Sequence, residues 1–564
     1  EMKFGADYSR DQINVVNGIA SNGFFVFIPV PLTNAFANFL IGQPLLFLQG
    51  GGNEPNGQGD LSRGLRANDF SFYGQDTFKA TPRLTLTLGL RYELPFPYTE
   101  IRNRTNLFEP GVQSTVFPDA PAGLVYPGDH GTPAGLIPTE TKAFAPRIGL
   151  AWDPTGSSRW LITAAYGIFY DPYYNGQGGP LQTPISAPPY LRTPQLLFPG
   201  SLSNPFARGN PFATPFGATK TLLTLDPNLR LPYAQDWNFS IERSLGANWL
   251  FQVGYVGTKG TKLPRFIEAN PSIPQPGQMW SDQQGNIDAQ RIYCDPTAAG
   301  NCNYSSIGLI SGIANSSYHA LETSLRKRFG HGVSLLASYT YSKALDDVSS
   351  LNITGSASQP VAGENDLAQN PFDLAAEYGR SMFDARNRFV LSYEWELPFW
   401  RHAGNWYEHV LGNWQVNGIT TFMSGTPFTV VDQSFNYDAP EITGFSAFRP
   451  NLVGNPNNGP KTVQEWFNVN AFQRLDLSTT PAGVYGSEGR NVVQGPGLAQ
   501  WDFSAFKNIR LTESKSLQFR AEFFNIFNET NFRLPSSDIS SPTFGQIQAA
   551  LQPRLIQLAL KFLF

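Results

Sequence analysis

The last ten residues, LIQLALKFLF (Leu555–Phe564), decide the fold class. Taken two at a time, five apolar side chains fall on one face of this stretch: Ile556, Leu558, Leu560, Phe562 and Phe564. Gln557, Ala559 and Lys561 fall on the other face, so the period is that of a strand and not of a helix. A strand with a wholly apolar face needs an apolar medium against it. That medium is the second sheet in a soluble sandwich and lipid in a membrane barrel.

Composition narrows the class of protein. The chain has 564 residues, too many for one ordinary soluble core, yet no run of about 18 apolar residues that would cross a bilayer as a helix. With 15% charged residues, 14% aromatic residues, 53 Gly and 45 Pro, the composition is typical of β proteins. The mean hydropathy of −0.25 fits strands with one face in lipid and one in water. The net charge of −4 gives no basic surface for nucleic acid, so no nucleic-acid partner is expected.

The same alternation recurs along the whole chain. Arg83–Pro95 (RLTLTLGLRYELP) is the clearest case, with four leucines from Leu84 to Leu90 on one face and Arg83 and Arg91 on the other. Similar segments predict about sixteen strands, most of a length that suits a strand tilted about 45° across a bilayer. Two of the predicted strands are Phe36–Gln43 and Leu45–Gly51, which are separated by little more than Pro44.

The connections between these strands fall into two classes. Most hairpins close within a few residues, whereas long segments rich in Pro, Gly, Asn and Ser occupy 97–141, 172–231, 262–313, 344–383 and 431–496. Outer-membrane barrels have short periplasmic turns and long extracellular loops, but a soluble sandwich has no reason to place all long loops at one end. The sequence therefore predicts an all-β, antiparallel transmembrane β-barrel in the bacterial outer membrane. The strand ending in Phe564 is similar to the signal that the barrel assembly machinery reads.

Charged residues of both signs lie on the faces opposite the apolar ones. A charge facing lipid costs roughly 2–4 kcal/mol at the midplane, so these residues are predicted to face a wet lumen. The candidates are Arg83, Arg91, Glu93, Glu242, Glu322, Arg326, Arg328, Glu394, Glu396, Arg520 and Glu522. Two interpretations stay open: a wall that contacts a plug or a passing solute, or ordinary lumen charges that are solvated or paired with one another.

Cys294 and Cys302 lie close together in a segment rich in Asp, Pro, Asn and Gly. They are predicted to form a disulfide in an oxidising compartment, because the segment offers too few ligands for a metal site. The chain opens at Glu1 with strand-like alternation and no signal peptide. The start is therefore expected to be internal to a longer precursor, or the chain to be a processed or incomplete product.

No set of residues predicts an enzyme. The five histidines and the loop carboxylates Asp346, Asp347 and Asp438 define no acid–base pair, and the Gly-rich runs lack the Lys of a phosphate-binding loop. Neither a cofactor nor a metal site is predicted, although calcium in an outer loop stays open.

Aromatic residues recur near the predicted strand ends, as in the interfacial girdles of membrane barrels. They are Trp152, Trp160, Tyr166, Trp237, Trp249, Tyr339, Tyr341, Trp395, Trp414 and Trp501. Each one alone also fits ordinary packing, but together they favour a membrane protein.

Several segments resemble the barrel of Oar-like TonB-dependent transporters. They are FYGQDTFKATPRLTLTLGLRYE (72–93), APRIGLAWDP (145–154), QDWNFSIERSL (235–245), SYHALETSLRKRFGHGVSLLASYTYSKALDD (317–347), FDARNRFVLSYEWELPF (383–399), LGNWQVNGITTFMSGTPFTV (411–430) and RAEFFNIFNETNF (520–532). The resemblance covers nearly the whole chain. It implies a barrel of 22 strands, an internal plug, energy from the TonB complex, and movement of a bulky solute such as a siderophore, an oligosaccharide or a peptide.

The chain departs from that family pattern because no regulatory-like β domain, plug or TonB box is found in it. Residues 1–564 are therefore expected to be a partial barrel with extracellular loops. The leading hypothesis is energised transport across the outer membrane, with lipid, the TonB complex and an unknown solute as partners. The alternatives are a passive channel or adhesion barrel without energy coupling, and a secreted soluble β protein that acts on carbohydrate.

Overall fold

The structure is a computed structural model of the chain. It describes residues 1–16, 22–27, 34–51, 61–129, 131–171, 188–190, 195–197, 199, 201–207, 216, 221–246, 248–284, 287–294, 302–349, 368–399, 410–432, 448–512 and 514–564. Asp438, one of the loop carboxylates that define no acid–base pair, lies outside these residues, as does most of the segment 172–231.

Fourteen long strands dominate the described part of the chain. They are β1 (Met2–Val16), β2 (Ser62–Thr81), β3 (Leu84–Pro95), β4 (Ala143–Trp152), β5 (Trp160–Tyr170), β6 (Tyr233–Ser244), β7 (Trp249–Glu268), β8 (Ser306–Gly330), β9 (Val333–Asp346), β10 (Asn387–Glu396), β11 (Trp414–Met423), β12 (Leu498–Arg510), β13 (Ser516–Phe524) and β14 (Leu555–Leu563). Each strand pairs antiparallel with the next one along the chain. This order is that of an up-and-down barrel sheet in which consecutive strands form hairpins. We call the fourteen strands β1 to β14 the wall.

Three short strands extend the same sheet to seventeen strands within the described residues. Thr99–Glu100 pairs with β2, and Gly379–Arg380 pairs with β9. Thr221–Leu225 runs parallel to the first residues of β8. All three contacts lie beyond the regular hairpin ladder and attach connecting segments to it.

The connections alternate strictly between the two ends of the wall. At the turn end, the strands are joined by 82–83, 153–159, 245–248, 331–332, 397–413 and 511–515. At the loop end, they are joined by 17–61, 96–142, 171–232, 269–305, 347–386, 424–497 and 525–554. Even the longest connection at the turn end is shorter than any at the loop end. The predicted alternation of short turns and long loops is confirmed.

Two predicted strands do not belong to the wall, which explains why it has fourteen long strands where about sixteen were predicted. Most of Phe36–Gln43 lies in helix α1 (Ala35–Leu40), whose first turn is capped by Asn34 because its Oδ1 accepts a hydrogen bond from the Ala37 N–H at 2.8 Å. Of Leu45–Gly51, only Leu46–Leu48 is a strand, and it pairs with Phe24–Val26 and Gln195–Leu197 in a separate sheet. The apolar residues of α1 are spaced with a helical period, so the strand predicted for Phe36–Gln43 was wrong.

The predicted loop 262–313 is partly wrong, because β7 continues to Glu268 and β8 already begins at Ser306. Pro264 argues against a regular strand here. The structure accommodates it next to a register shift between Gly260 and Leu263, where Lys262 has a φ of 57°. This irregularity lets the hairpin extend beyond its neighbours at the loop end.

The loop-end connections carry short elements and, together with the adjoining ends of the long strands, the buried apolar clusters of the described chain. We call their described residues the crown. The short strand pairs are Leu107–Phe108 with Leu124–Val125, Pro427–Phe428 with Val493–Gln494, and Asn451–Leu452 with Phe472–Gln473. The short helices are α2 (Trp280–Gln284) and the 3₁₀ turns Asp288–Gln290, Leu374–Glu377 and Val469–Ala471. Within the described residues, no helix has the length and apolar character needed to cross a bilayer.

Candidate functional site: the polar face and the crown

The register gives the wall one continuous apolar face. Leu88 lies opposite Ile148, and Phe562 of β14 lies opposite Leu517 of β13, so apolar rows run across strand boundaries. The predicted closing residues Ile556, Leu558, Leu560 and Phe562 all lie on this face and are 48–67% exposed. No described part of the chain covers these side chains, so their exposed face requires an apolar solvent.

Aromatic side chains form two rows on this face. Near the turn end lie Trp160, Trp249 and Trp395, and six residues further along the same three strands lie Tyr166, Tyr255 and Phe389. Arg243 lies 4.6 Å from the Trp160 ring centre, which places a cation at the turn-end margin. The rings and the cation at the turn end are anchors of the kind expected at a membrane interface, and the second row of rings lies further along the same face.

The predicted lumen charges lie on the opposite face of the wall. Nine of the eleven occupy regular ladder positions with the parity opposite to the apolar rows: Arg91, Glu93, Glu242, Glu322, Arg326, Glu394, Glu396, Arg520 and Glu522. Arg83 lies in the turn before β3, and Arg328 lies in the irregular end of β8. We call this the polar face; a role for these residues in solute contact stays a prediction.

One cluster on the polar face joins three strands. The Arg91 guanidinium donates to Asp7 of β1 at 2.9 Å, to Glu93 of β3 at 3.0 Å and to the Ser71 hydroxyl of β2 at 2.6 Å. The two acids therefore share one cation. The sequence identified Arg91 and Glu93 but not Asp7, although Asp7 follows the same alternation within β1.

A second cluster lines a cavity of about 660 Å³ between β8 and β13. Its polar lining includes Arg326, Glu394, Asn417, Asp502 and Glu522. Gln415 donates to Glu394 at 2.8 Å and Gln500 donates to Asp502 at 2.9 Å, so neutral amides hold the carboxylates in place. Within the described ranges, no three His, Cys, Asp or Glu side chains meet as a metal-binding group. The cavity is suited to hydrogen bonding with a polar solute.

The crown is held together by a buried ionic hub. Arg490 donates to Asp346 Oδ1 at 3.1 Å, to the Asp346 carbonyl at 2.9 Å and to the Glu377 carbonyl at 2.8 Å. The Glu377 carboxylate in turn accepts from Arg449. Nearby, burial raises the pKa of the Glu488 carboxyl well above its ordinary value. The hub ties the end of β9 to the loops 347–386 and 424–497.

Asp129 fastens a second part of the crown. Its carboxylate accepts hydrogen bonds from the backbone N–H groups of Thr115 at 2.6 Å, Val116 at 3.0 Å and Tyr126 at 2.8 Å, and from the Ser114 hydroxyl at 2.8 Å. These donors outweigh the desolvation that opposes them, and the pKa of Asp129 falls to about 2. One ionised side chain thus closes the loop 114–129.

The two cysteines lie in the crown as well. Cys294 and Cys302 are joined by a disulfide, with 4.9 Å between their Cα atoms. Next to the bridge, the Tyr293 ring packs against Phe108 at 5.1 Å between ring centres. The bridge closes a turn within the loop after β7, and the Tyr293–Phe108 contact brings this loop against the loop after β3.

Sequence reasoning did not find the hub. Asp346 was noted only as an isolated loop carboxylate, and Glu377, Arg449 and Arg490 were not singled out. Arg490 and Asp346 are 144 residues apart in the chain, so no local spacing connects them. Asp384, which bonds both Arg380 at 2.7 Å and Arg386 at 3.3 Å, was within reach because all three lie in a seven-residue stretch.

The chain is similar to several solved structures, including two from Escherichia coli and one from Pseudomonas aeruginosa. The outer membrane transporter YddB from Escherichia coli matches with 11% identity and a TM-score of 0.49, over 99% of this chain and 51% of its own. The ferripyoverdine receptor of Pseudomonas aeruginosa matches with 11% identity and a TM-score of 0.40, over 89% and 39%. The ferric-catecholate import receptor Fiu from Escherichia coli matches with 10% identity and a TM-score of 0.39, over 92% and 50%. The chain thus spans about half the length of these proteins or less.

Among curated proteins, none matches the chain. The sequence profile described as "Outer membrane beta barrel domain" matches residues 1–557. This range includes thirteen complete strands of the wall and all the connections at both ends. The match places the protein in the bacterial outer membrane, and it agrees with an apolar face toward lipid and a polar face toward the barrel interior. The chain belongs to the outer membrane beta barrel domain family.

Proposed function

We propose that residues 1–564 form the wall and loops of a TonB-dependent transporter that moves a bulky solute across the outer membrane. The observation that carries this proposal is the polar face. It continues across the wall from Asp7 in β1 to Glu522 in β13 and carries charges of both signs.

The number of strands in the wall indicates what the polar face contacts. Barrel diameter grows with strand number, and about eight strands already give an interior that side chains only just fill. A barrel whose wall includes these fourteen strands encloses more space than its own side chains can occupy. The polar face therefore borders water, and a solute larger than those admitted by narrow pores has room to pass.

The crown supplies the capture site in this proposal. Its buried hub and its disulfide hold the loops in one arrangement before a ligand arrives, and such preorganisation lowers the entropic cost of binding. The similarity to Oar-like transporters supports coupling to the TonB complex. It also supports a siderophore, an oligosaccharide or a peptide as the solute.

Uptake by cells that lack the gene tests the proposal. Deletion is expected to abolish growth on, or uptake of, one such solute, and the full-length gene is expected to restore it only in cells with a working TonB complex. A double variant, Glu394→Gln with Glu522→Gln, should lower uptake without lowering the amount of protein in the membrane. Lys515→Gln, which removes an exposed charge in the turn 511–515 at the opposite end of the wall from the crown, serves as the control.

Two outcomes would contradict the proposal in different ways. Uptake that persists without the TonB complex would leave a passive channel. Unchanged uptake of every tested solute, combined with lost surface attachment of the cells, would leave an adhesion barrel.

A further inference from the structure

A second cavity, of about 590 Å³, lies at the loop-end margin of the apolar face. Tyr339, Phe389 and Phe422 of the wall line one side of it, and Trp466 and Phe532 of the crown line the other. We propose that this cavity binds an acyl chain of a phosphorylated glycolipid from the outer leaflet of the membrane.

The position of the cavity favours lipid. Tyr339 lies opposite Phe389, and Phe389 lies opposite Phe422, so the three rings form one row across β9, β10 and β11 on the apolar face. Phe389 lies six residues from Trp395, which marks the turn-end margin of the same strand. Asn387, two residues nearer the loop end, is the first residue of β10, so the row lies close to the loop end of the lipid-facing surface. The cavity therefore adjoins the part of this surface that faces the outer leaflet.

The lining favours an apolar occupant over a polar one. The Tyr339 hydroxyl donates to Asn387 at 2.7 Å, and the Asn387 amide donates to the Ser424 hydroxyl at 3.2 Å. Asn531 both donates to and accepts from the backbone of Ala499, at 3.0 and 2.8 Å. These polar groups satisfy one another, so the aromatic rings define what the cavity holds. Its volume lies within the roughly 300–1,000 Å³ of small-molecule pockets.

The charged residues near the cavity favour a phosphate beside Trp466 and disfavour one beside Glu529. The Lys461 ammonium lies 5.3 Å from the centre of the Trp466 ring, which lines the cavity, and Lys461 is exposed. Glu529, also exposed, lines the cavity and repels an anion. A phosphorylated head group is therefore expected beside Lys461, with its acyl chain between the rings.

Two alanines on one strand allow a matched test. Ala499 lines the cavity and lies opposite Phe422, whereas Ala505 lies six residues further along the same face of β12, opposite Val416. A tryptophan at position 499 would fill the cavity. A tryptophan at position 505 would add the same ring to the lipid-facing surface outside it.

The experiment uses the full-length protein, extracted from outer membranes and washed in detergent. Mass spectrometry then counts the lipid retained per chain. Wild type and Ala505→Trp should retain the phosphorylated glycolipid, and Ala499→Trp should lose it. Heat-modified gel mobility confirms that all three proteins are folded. Equal retention by the two variants, no retained glycolipid in wild type, or retention of detergent alone would overturn the proposal.

Discussion

The wall and the crown use the same apolar side chains in opposite ways. In the crown, Leu107 and Phe428 are fully buried, with 0% of their surface exposed, and each belongs to a packed cluster. On the wall, Leu88 and Ile148 lie side by side and are 48% and 54% exposed. The crown therefore folds as a water-soluble protein does, around its own core. The wall leaves its apolar surface to the membrane.

Charges show the reverse distribution. The crown buries its ion pairs, as at Arg490 and Asp346, whereas the wall keeps Arg91 and Asp7 partly exposed along the polar face. An ion pair buried away from water is sensitive to the loss of either partner, but one at a wet surface is not. The same type of substitution should therefore change the free energy of unfolding by different amounts in the crown and in the wall.

The largest effect is expected from breaking the hub. Arg490→Met removes the cation that joins Asp346 to Glu377, and losing one partner of a buried pair costs about 3–5 kcal/mol. Hydrogen exchange of the full-length protein should then show lost protection in 369–386 and 448–494, with the wall strands unchanged. Lys142→Met, an exposed lysine of the crown, is the control. Equal protection in the two variants would mean that the hub does not hold the crown.

Truncating a leucine should distinguish the two apolar environments. Leu107→Ala leaves a cavity in a packed cluster and should cost about 2–5 kcal/mol. Leu558→Ala shortens a side chain that already faces lipid, so no cavity forms and the cost should be well under half as large. Urea unfolding of the protein in lipid vesicles measures both variants. Similar costs would show that β14 packs against protein.

A charge should distinguish the two faces of the wall. Leu88→Arg places a cation on the apolar face near the midplane, where it should cost about 2–4 kcal/mol. Gln75→Arg places the same side chain on the polar face of the neighbouring strand, where water solvates it. The fraction of protein folded into vesicles is the measurement. An equal loss for Gln75→Arg would contradict a wet interior.

The smallest effect concerns Asp129 and appears only in acid. Because the pKa of this carboxyl is lowered to about 2 in the fold, its contribution to stability is complete above its unfolded pKa of roughly 3.9. The contribution is lost as the pH falls through the folded value. Proteolysis of the 114–129 loop by an acid-stable protease should rise between pH 4 and pH 2. In Asp129→Asn the loop should be equally accessible throughout this range.

Much of the wall was predictable because its signals are local. The alternation in Arg83–Pro95 and Leu555–Phe564 assigns faces from adjacent residues alone, and the register of β3 with β4 confirms it. The prediction was wrong where a short apolar segment has another period, as in α1. It also stopped too early in β7, where Pro264 is accommodated by an irregular register.

The candidate site divides in the same way. The polar face was predicted through Arg91, Glu394 and Glu522, because parity within a strand places a side chain on one face or the other. The hub in the crown was not, since Arg490 meets Asp346 only after two long loops have folded over the end of β9.

The sequence alone determined which side chains meet lipid and which meet water, because two-residue periodicity is a property of neighbouring residues. It also determined the order of short turns and long loops, since chain direction reverses with every strand. Only the tertiary structure decided which distant charges pair in the crown and where wall and crown enclose a cavity. Those contacts join residues that are far apart in the sequence, so they form only when the whole chain has folded and cannot be predicted from neighbouring residues.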